Sequence, residues 1–572
     1  MQILLTDSAE IYEQSTTDKI LTDGFVIVNS TIFDHEQTAQ FNARLNGVEN
    51  EASRLMIKEL ESVCETFPDF KAPVFLETRD LTYHKAYSLL YADFKDYITK
   101  KFLIEMLVKK LQTHLPEITE FSFDFGNDFK SIEFSNFLKS NGQIQLRKTT
   151  SLNDKRFVKN LFYRWSRLKR KKTSLPNRKY RIALFIFDTI NDIDLFRTFF
   201  QLIKSDETVH LDIIQIDSGI APEKVVSAKP FECKNIAVYK LQDFRAPLLG
   251  GLEEFSSILT DQYPEYSHFA GSKRMVSYEA YNAFIHAALT ELKPTVVAYD
   301  NTGEVGRYLS DVARYHKIPS ANIEYGLFSN DYIHMASNIC YDIRYCLGEA
   351  SVSIWKDKKD PTKNHVPIGF LKLDHSEQLT TNGDDFKWIR GTFDKLVFFA
   401  STWAGTNSLY NNEKTVVVKE LSEICVQNNW GLIIKKHPAE KDTLLDELEE
   451  IHNENVFLYQ HHEAQLFQIL KHCDIVCTQN SSITAEALLH RKPTIFYNKS
   501  EQPGLAELIP MSKEPFVFFV SNKEQFMDAA TKEIPAIDVA AYDNTESKYL
   551  YKTDQKASHR LLHELKKLSN DL

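Results

Sequence analysis

Residues Gly431–Tyr497 read GLIIKKHPAEKDTLLDELEEIHNENVFLYQHHEAQLFQILKHCDIVCTQNSSITAEALLHRKPTIFY. Four short apolar runs (GLIIKKH, NVFLYQ, DIVCTQ, PTIFY) alternate with helix-length segments. That alternation predicts βαβ units and a parallel sheet. Two of the runs end in polar chemistry: Lys435-Lys436-His437-Pro438 and Asn480-Ser481-Ser482. Open α/β sheets bind ligands beyond the carboxyl ends of their strands, so both motifs belong on the ligand side.

Ser481 and Ser482 fall where a strand ends and the helix SSITAEALL begins. Serine is a preferred helix cap, and free N–H groups at a helix start attract anions. Glu486 follows Ser482 by one helical turn. A phosphate held by the serines, with ribose hydroxyls on Glu486, makes a nucleotide cradle. Lys436 and His437, read as closing the neighbouring strand, donate to the same phosphate. The plainer alternative is a capped helix, a chain turn at His437-Pro438 and a solvated Glu486.

Outward from this stretch, a similar domain precedes it. RIALFIFD, VHLDIIQID, NIAVYKL, PTVVAYD, SANIEY and YDIRYCLG read as strands separated by helices. The loop DTIND follows the first of these strands and faces the cleft. Asp300 ends PTVVAYD, ahead of the loop NTGEVG. A carboxylate there serves as general base toward an acceptor hydroxyl, or as nucleophile, or merely caps the next helix. Glu304 in the same loop is its substitute. Glu324, Asp331 and His334 lie in a second cluster, IEYGLFSNDYIH. After the next strand, KLVFFASTW, the loop TWAGTN places Gly405 beneath the donor.

These motifs carry a family resemblance. KKHP and TQNSSITAEALLHRKPTIFY resemble the HP and SS motifs of bacterial surface-polysaccharide glycosyltransferases of GT-B fold, nearest to capsular Kdo transferases and polysialyltransferases. The stretch Gly369–Asp374, GFLKLD, is similar to the G-x-P-R-x-D stretch of CDP-glycerol and CDP-ribitol phosphotransferases, with Leu371 and Lys372 in place of Pro-Arg. The resemblance implies a GT-B type α/β fold: two Rossmann-like domains facing a cleft, plus an N-terminal α/β region. It implies transfer of a sugar (Kdo or sialic acid) from a CMP-activated donor to a lipid-linked or oligosaccharide acceptor. The alternative is polyol-phosphate transfer from a CDP-polyol. The implied donor residues are Lys436, His437, Pro438, Asn480, Ser481, Ser482, Glu486 and Gly405; the catalytic candidates are Asp300, Glu304 and His334. A metal and a separate cofactor are not expected.

The expected organisation is an accessory α/β region at 1–150, a basic segment and linker at 151–177, a first Rossmann-like domain at 178–374, a connection at 375–394, a second Rossmann-like domain at 395–546 and a C-terminal helix at 547–572. The segment Lys155–Lys172 carries nine Lys or Arg residues and no acid, and Phe157, Leu161, Trp165 and Leu168 recur at helical spacing. Basic amphipathic helices of this kind lie on anionic membranes. The inner face of a cell membrane is one expected contact; a solvated face packed on the protein is the other. It also motivates a third reading, a membrane-associated scaffold with a degenerate donor site.

Composition sets the outer bounds. The 572-residue chain has a net charge of −11, which argues against a nucleic-acid coat protein. Seven cysteines without a CxxC pair fit a reducing, cytoplasmic setting. The N-terminus MQILLTDSAEIYEQ lacks a signal-peptide pattern, and no apolar run reaches membrane-spanning length.

Overall fold

In a computed structural model, the structure describes residues 2–6, 13, 19–22, 27–30, 37, 48–72, 75–76, 82–117, 120–123, 178–217, 225–244, 252–269, 273–300, 304–326, 339–357, 361–375, 384–401, 408–437, 454–459, 466–479, 481, 483–499, 509, 511–534 and 537–570. The basic segment Lys155–Lys172 lies outside them.

Three sheets organise the chain. The first is small, in the order β3-β2-β1-β4, from β1 (Gln2–Thr6), β2 (Lys19–Thr22), β3 (Ile27–Ser30) and β4 (Glu120–Phe123). The second has seven strands: β5 (Tyr180–Phe187), β6 (Val209–Ile216), β7 (Ile236–Lys240), β8 (Val296–Tyr299), β9 (Ser320–Ile323), β10 (Ile343–Cys346) and β11 (Asn364–Pro367). The third has six: β12 (Lys395–Ala400), β13 (Trp430–Lys435), β14 (Val456–Tyr459), β15 (Ile475–Thr478), β16 (Thr494–Tyr497) and β17 (Val517–Val520).

The two larger sheets are parallel throughout their described pairings. Their near-continuous apolar strands explain why: β6 (VHLDIIQI) is buried along its whole length, which requires helices on both faces. Alternate residues of β12 supply two cores, Val397 and Phe399 to one, Leu396, Phe398 and Ala400 to the other.

The strand orders, β11-β10-β9-β8-β5-β6-β7 and β14-β13-β12-β15-β16-β17, share one logic. Each chain winds outward from its first strand, then crosses back to that strand's other side. The reversal leaves a crevice between β5 and β8 in one sheet and between β12 and β15 in the other. Two doubly wound α/β lobes of this type, joined by a short connection, are the GT-B arrangement.

The N-terminal region is fused to the first lobe. The helix Val48–Thr66 and the run Thr82–His114, interrupted by a π turn at Phe94–Ile98, share one apolar core with the first lobe's helices Glu253–Gln262, Lys273–Leu292 and Glu304–Tyr315. Phe67 stacks on both Phe255 and Tyr263, and Tyr266 donates to Glu59 at 2.5 Å. The buried Arg307 lies against the rings of Tyr87 and Tyr91.

Two boundaries differ from the sequence reading. The helix Asp384–Thr392 falls within the expected connection, yet Phe386 and Ile389, with Phe393 just beyond, belong to the second lobe's core. Its polar composition concealed an apolar stripe. The C-terminal segment is two helices, Val539–Leu550 and Ala557–Leu568. In the first, Tyr542 stacks on Phe516 of the second lobe at 4.5 Å. The other crosses back: Leu561 and Leu565 join the first lobe's core with Phe196 and Phe199, and Lys566 pairs with Asp206 at 2.5 Å.

Candidate functional site

Asp300 follows β8 and is 1% exposed. Neither of its oxygens reaches solvent, and among the described residues no donor other than its own backbone N–H is directed at it. What it faces is a second carboxyl, that of Asp192. Asp192 lies on the short helix Ile190–Leu195, which springs from the loop after β5. β5 and β8 are hydrogen-bonded neighbours, with Phe185 opposite Tyr299, so their ends bring the two acids together at the sheet's crevice. Thr189 caps that helix and donates to Asp192 Oδ2 at 2.6 Å. Two carboxyl groups in contact bond only if one carries a proton. Burial, then the charge of Asp192, pushes Asp300 well above the usual carboxylate range, so Asp300 holds that proton. Burial also raises Asp192, opposed by Thr189, by the Asp300 proton and by Lys372.

This changes the expected role of Asp300. A sealed carboxyl whose protonated form is favoured does not meet an acceptor hydroxyl directly. Asp192 was not singled out from the sequence, although DTIND was read as cleft-facing. The available signal was Thr189-x-x-Asp192, a capping pattern at the end of an apolar strand.

Glu324 is fully engaged in structure. It is buried beyond β9, accepts from the Leu347 N–H at 2.8 Å and from Trp355 Nε1 at 3.2 Å, and burial raises its pKa. Glu304 begins the helix Glu304–Tyr315. His334 lies outside the described residues.

The GFLKLD stretch forms the hinge side. Gly369 has φ +91°, a conformation open to glycine, and a Cβ there would come within 2.9 Å of Arg560 Nη2. Asp374 accepts from the N–H groups of Ala557 and Ser558 and caps the returning C-terminal helix. Lys372, between them, points to the cleft. Its Nζ lies 3.7 Å from Glu486 Oε1, and its charge also acts on Asp192.

On the second lobe, Lys436 and His437 follow β13 and Ser481 follows β15. The sequence reading had these strands adjacent; β12 runs between them. Two strand spacings separate the motifs by about 10 Å along the rim. Lys436 is buried and His437 half-buried, and burial brings the preceding Lys435 ammonium down to about 8. The helix after β15 starts at Thr484, with Ile483 as its cap residue. Ser481 therefore does not cap it directly: its hydroxyl accepts from the Ile483 N–H at 3.3 Å. Glu486, in the first helical turn, is buried rather than solvated. Gly405, Pro438, Asn480 and Ser482 lie outside the described residues.

The second-lobe rim thus offers cations and a serine hydroxyl. The first-lobe rim offers a proton-sharing acid pair. Lys372 and Glu486 join the two.

One family model matches part of the chain. Residues 363–567 match the family model described as CDP-Glycerol:Poly(glycerophosphate) glycerophosphotransferase. The match covers roughly the last third of the chain, and the family it describes is one of transferases. The match begins at β11 and takes in Lys372, His437, Ser481, Glu486 and the returning helix.

No curated protein matches the chain. Among solved structures, an S. aureus MnaA structure with UDP is 13% identical, with TM-score 0.47 over 69% of this chain and 98% of that one. A UDP-GlcNAc 2-epimerase from Neisseria meningitidis bound to UDP-GlcNAc is 16% identical, TM-score 0.44, over 68% and 100%. A UDP-N-acetylglucosamine 2-epimerase from Rickettsia bellii is 12% identical, TM-score 0.45, over 69% and 98%. The fold assignment rests on the strand orders above rather than on these likenesses.

Among the described residues, no group of three or more His, Cys, Asp or Glu is arranged to hold a metal ion, and no helix is long and apolar enough to cross a membrane. Cys473 and Cys477 belong to different apolar cores, and burial holds both thiols protonated.

Proposed function

We propose that this protein transfers a polyol phosphate from a cytidine-diphosphate donor to a hydroxyl of a growing surface polymer. The observation that carries the reading is the family match over residues 363–567, which falls on the lobe and hinge that hold the candidate donor residues. In this reading His437, Lys436, Ser481 and Ser482 receive the leaving nucleotide phosphate, with Gly405, Pro438 and Asn480 in the loops around it. Glu486 receives ribose hydroxyls. Fixed donors on a leaving phosphate stabilise charge as its bond breaks. No metal is needed if these cations carry that charge. Closure of the cleft excludes water and protects the donor from hydrolysis.

A CMP-sugar transferase is the second reading. It is favoured by the run Asn480-Ser481-Ser482 with Glu486 one turn on, which resembles the SS motif of capsular glycosyltransferases. The two differ in which group is transferred from CMP to the acceptor, not in where CMP sits. In either case the acceptor is a lipid-linked or oligosaccharide chain, and contact of Lys155–Lys172 with an anionic membrane surface would hold the enzyme beside it.

The test is a thermal-shift and turnover series with CDP-glycerol, CDP-ribitol, CMP-Kdo and CMP-sialic acid. Stabilisation and CMP release with a CDP-polyol support the first reading. A response confined to CMP-sugars moves the assignment to the second. No response to any donor, together with flotation of the protein on anionic liposomes, leaves a scaffold.

A further inference from the structure

Neither candidate mechanism is complete with Asp300 alone, because its carboxyl has no face toward the cleft. The group that does is Asp192, and four features mark it out. It is partly exposed while Asp300 is sealed. It stands at the crevice between β5 and β8, the position where doubly wound sheets bind ligands. Thr189 fixes one of its oxygens at 2.6 Å. The turn Leu371–His375 packs against its helix and brings Lys372 to its cleft side.

We propose that Asp192 is the catalytic residue that takes the proton of the acceptor hydroxyl, with Asp300 behind it as a positioning residue. This rests on the transferase reading above and names the base of that same site. The hydroxyl O–H bond breaks and its proton passes to the Asp192 carboxylate. The freed oxygen forms a bond to the donor's transferred phosphorus. The bond from that phosphorus to the nucleotide phosphate oxygen breaks, and its electron pair leaves with CMP. Asp300 donates its own proton to Asp192 in a hydrogen bond and so holds the base in one orientation. The groups facing Asp192 are Thr189 and Asp188 from its own loop, Asp300 from the end of β8 and Lys372 from the hinge. Lys372 favours the ionised base; Asp188 and burial oppose it.

The experiment compares wild type, Asp192→Asn, Asp300→Asn, Asp300→Ala and Lys372→Met. CMP binding is read by calorimetry, and transfer from CDP-glycerol as a function of pH. Asp192→Asn should bind CMP as wild type does and lose roughly a hundredfold or more in kcat, the usual scale for removal of a general base. Asp300→Asn keeps a neutral hydrogen-bond donor beside Asp192; it should retain most of kcat and leave the acid limb of the rate profile at its wild-type position, whereas Asp300→Ala, which removes that donor, should move the limb to higher pH. Lys372→Met should move that limb to higher pH, a readout that does not depend on how Asp192→Asn folds. The proposal is overturned if Asp192→Asn keeps wild-type kcat, or if the acid limb ignores both Lys372→Met and Asp300→Ala. Failure of wild type to bind CMP or turn over any cytidine donor overturns the transferase reading instead, and this proposal with it.

Discussion

Lys372 Nζ lies 3.7 Å from Glu486 Oε1, and the two residues come from different lobes. Lys372 belongs to the hinge stretch beyond β11, Glu486 to the helix beyond β15. Both side chains are mostly shielded from water, at 24% and 9% exposure. The contact ties the two lobes and leaves the lysine between Glu486 and the Asp192–Asp300 pair. If the proposed transferase reading holds, the lysine turns from Glu486 to the donor phosphate when a nucleotide binds. Replacing it with alanine should lower kcat/KM by about tenfold to a hundredfold, the scale of one lost charge-assisted hydrogen bond. Steady-state kinetics with the preferred donor is the check; an unchanged kcat/KM would remove Lys372 from the site.

His437 and Ser481 stand about two strand spacings apart on one rim. His437→Ala and Ser481→Ala should each weaken CMP binding while leaving the thermal midpoint within a few degrees of wild type. Calorimetric titration with CMP decides it. Intact affinity in both variants would place the nucleotide elsewhere.

If Lys436, His437 and the serines carry the leaving charge, chelation should not matter. Transfer in excess EDTA is expected at the wild-type rate. A loss that a divalent cation restores would argue for a metal in the working site.

Gly348 is a close-approach point between the lobes. A Cβ there would stand 2.4 Å from the Tyr549 carbonyl carbon and 2.6 Å from the Lys548 oxygen, both backbone atoms. Gly348→Ala should destabilise the fold by about 1–3 kcal/mol, the range for overpacking. Denaturant unfolding measures it, and an unchanged midpoint would mean that the helix Val539–Leu550 shifts at no cost.

His286 and His316 form a ring-to-ring hydrogen bond of 2.9 Å, which needs an N–H on one and a lone pair on the other. Burial lowers both pKa values, and the neighbouring His286 lowers His316 further. The folded state therefore resists protons that the unfolded chain takes up near 6.5. Stability is complete above that value and falls as pH drops below it, a decline reduced by the partial exposure of both rings to solvent. Thermal scans between pH 7.5 and 5.5 should show the decline, and His316→Gln should flatten it. A slope that survives the substitution would assign the pH dependence to other groups.

Much of this architecture was legible because parallel strands buried on both faces leave a plain apolar signature. β5, β6 and β12 announce themselves. The helix Asp384–Thr392 did not, because Phe386 and Ile389 sit among Asp384, Asp385, Lys387 and Arg390 and resemble a linker. At the site, a strand's carboxyl end identified Asp300. Its partner was hidden because pairing depends on strand order: Asp192 and Asp300 are far apart in sequence and meet only because the chain returns from β7 to the far side of β5. The same rule separated His437 from Ser481, since nothing in either segment says which strand lies between them. Lys372 was visible as a departure from a family pattern, but its contact with Glu486 required the hinge geometry.

The returning helix has a consequence for how the protein is made. The side chain of Asn570 donates to the hydroxyl of Tyr180, 390 positions away, and Leu561 and Leu565 fill apolar space in a lobe that begins with β5. During synthesis that lobe emerges with part of its interior uncovered and stays so until the second lobe has been translated. Loop closure over such a span is slow relative to local folding. Nascent chains therefore carry an open apolar seam through much of their elongation, where a chaperone that binds exposed hydrophobic surface finds a ready client.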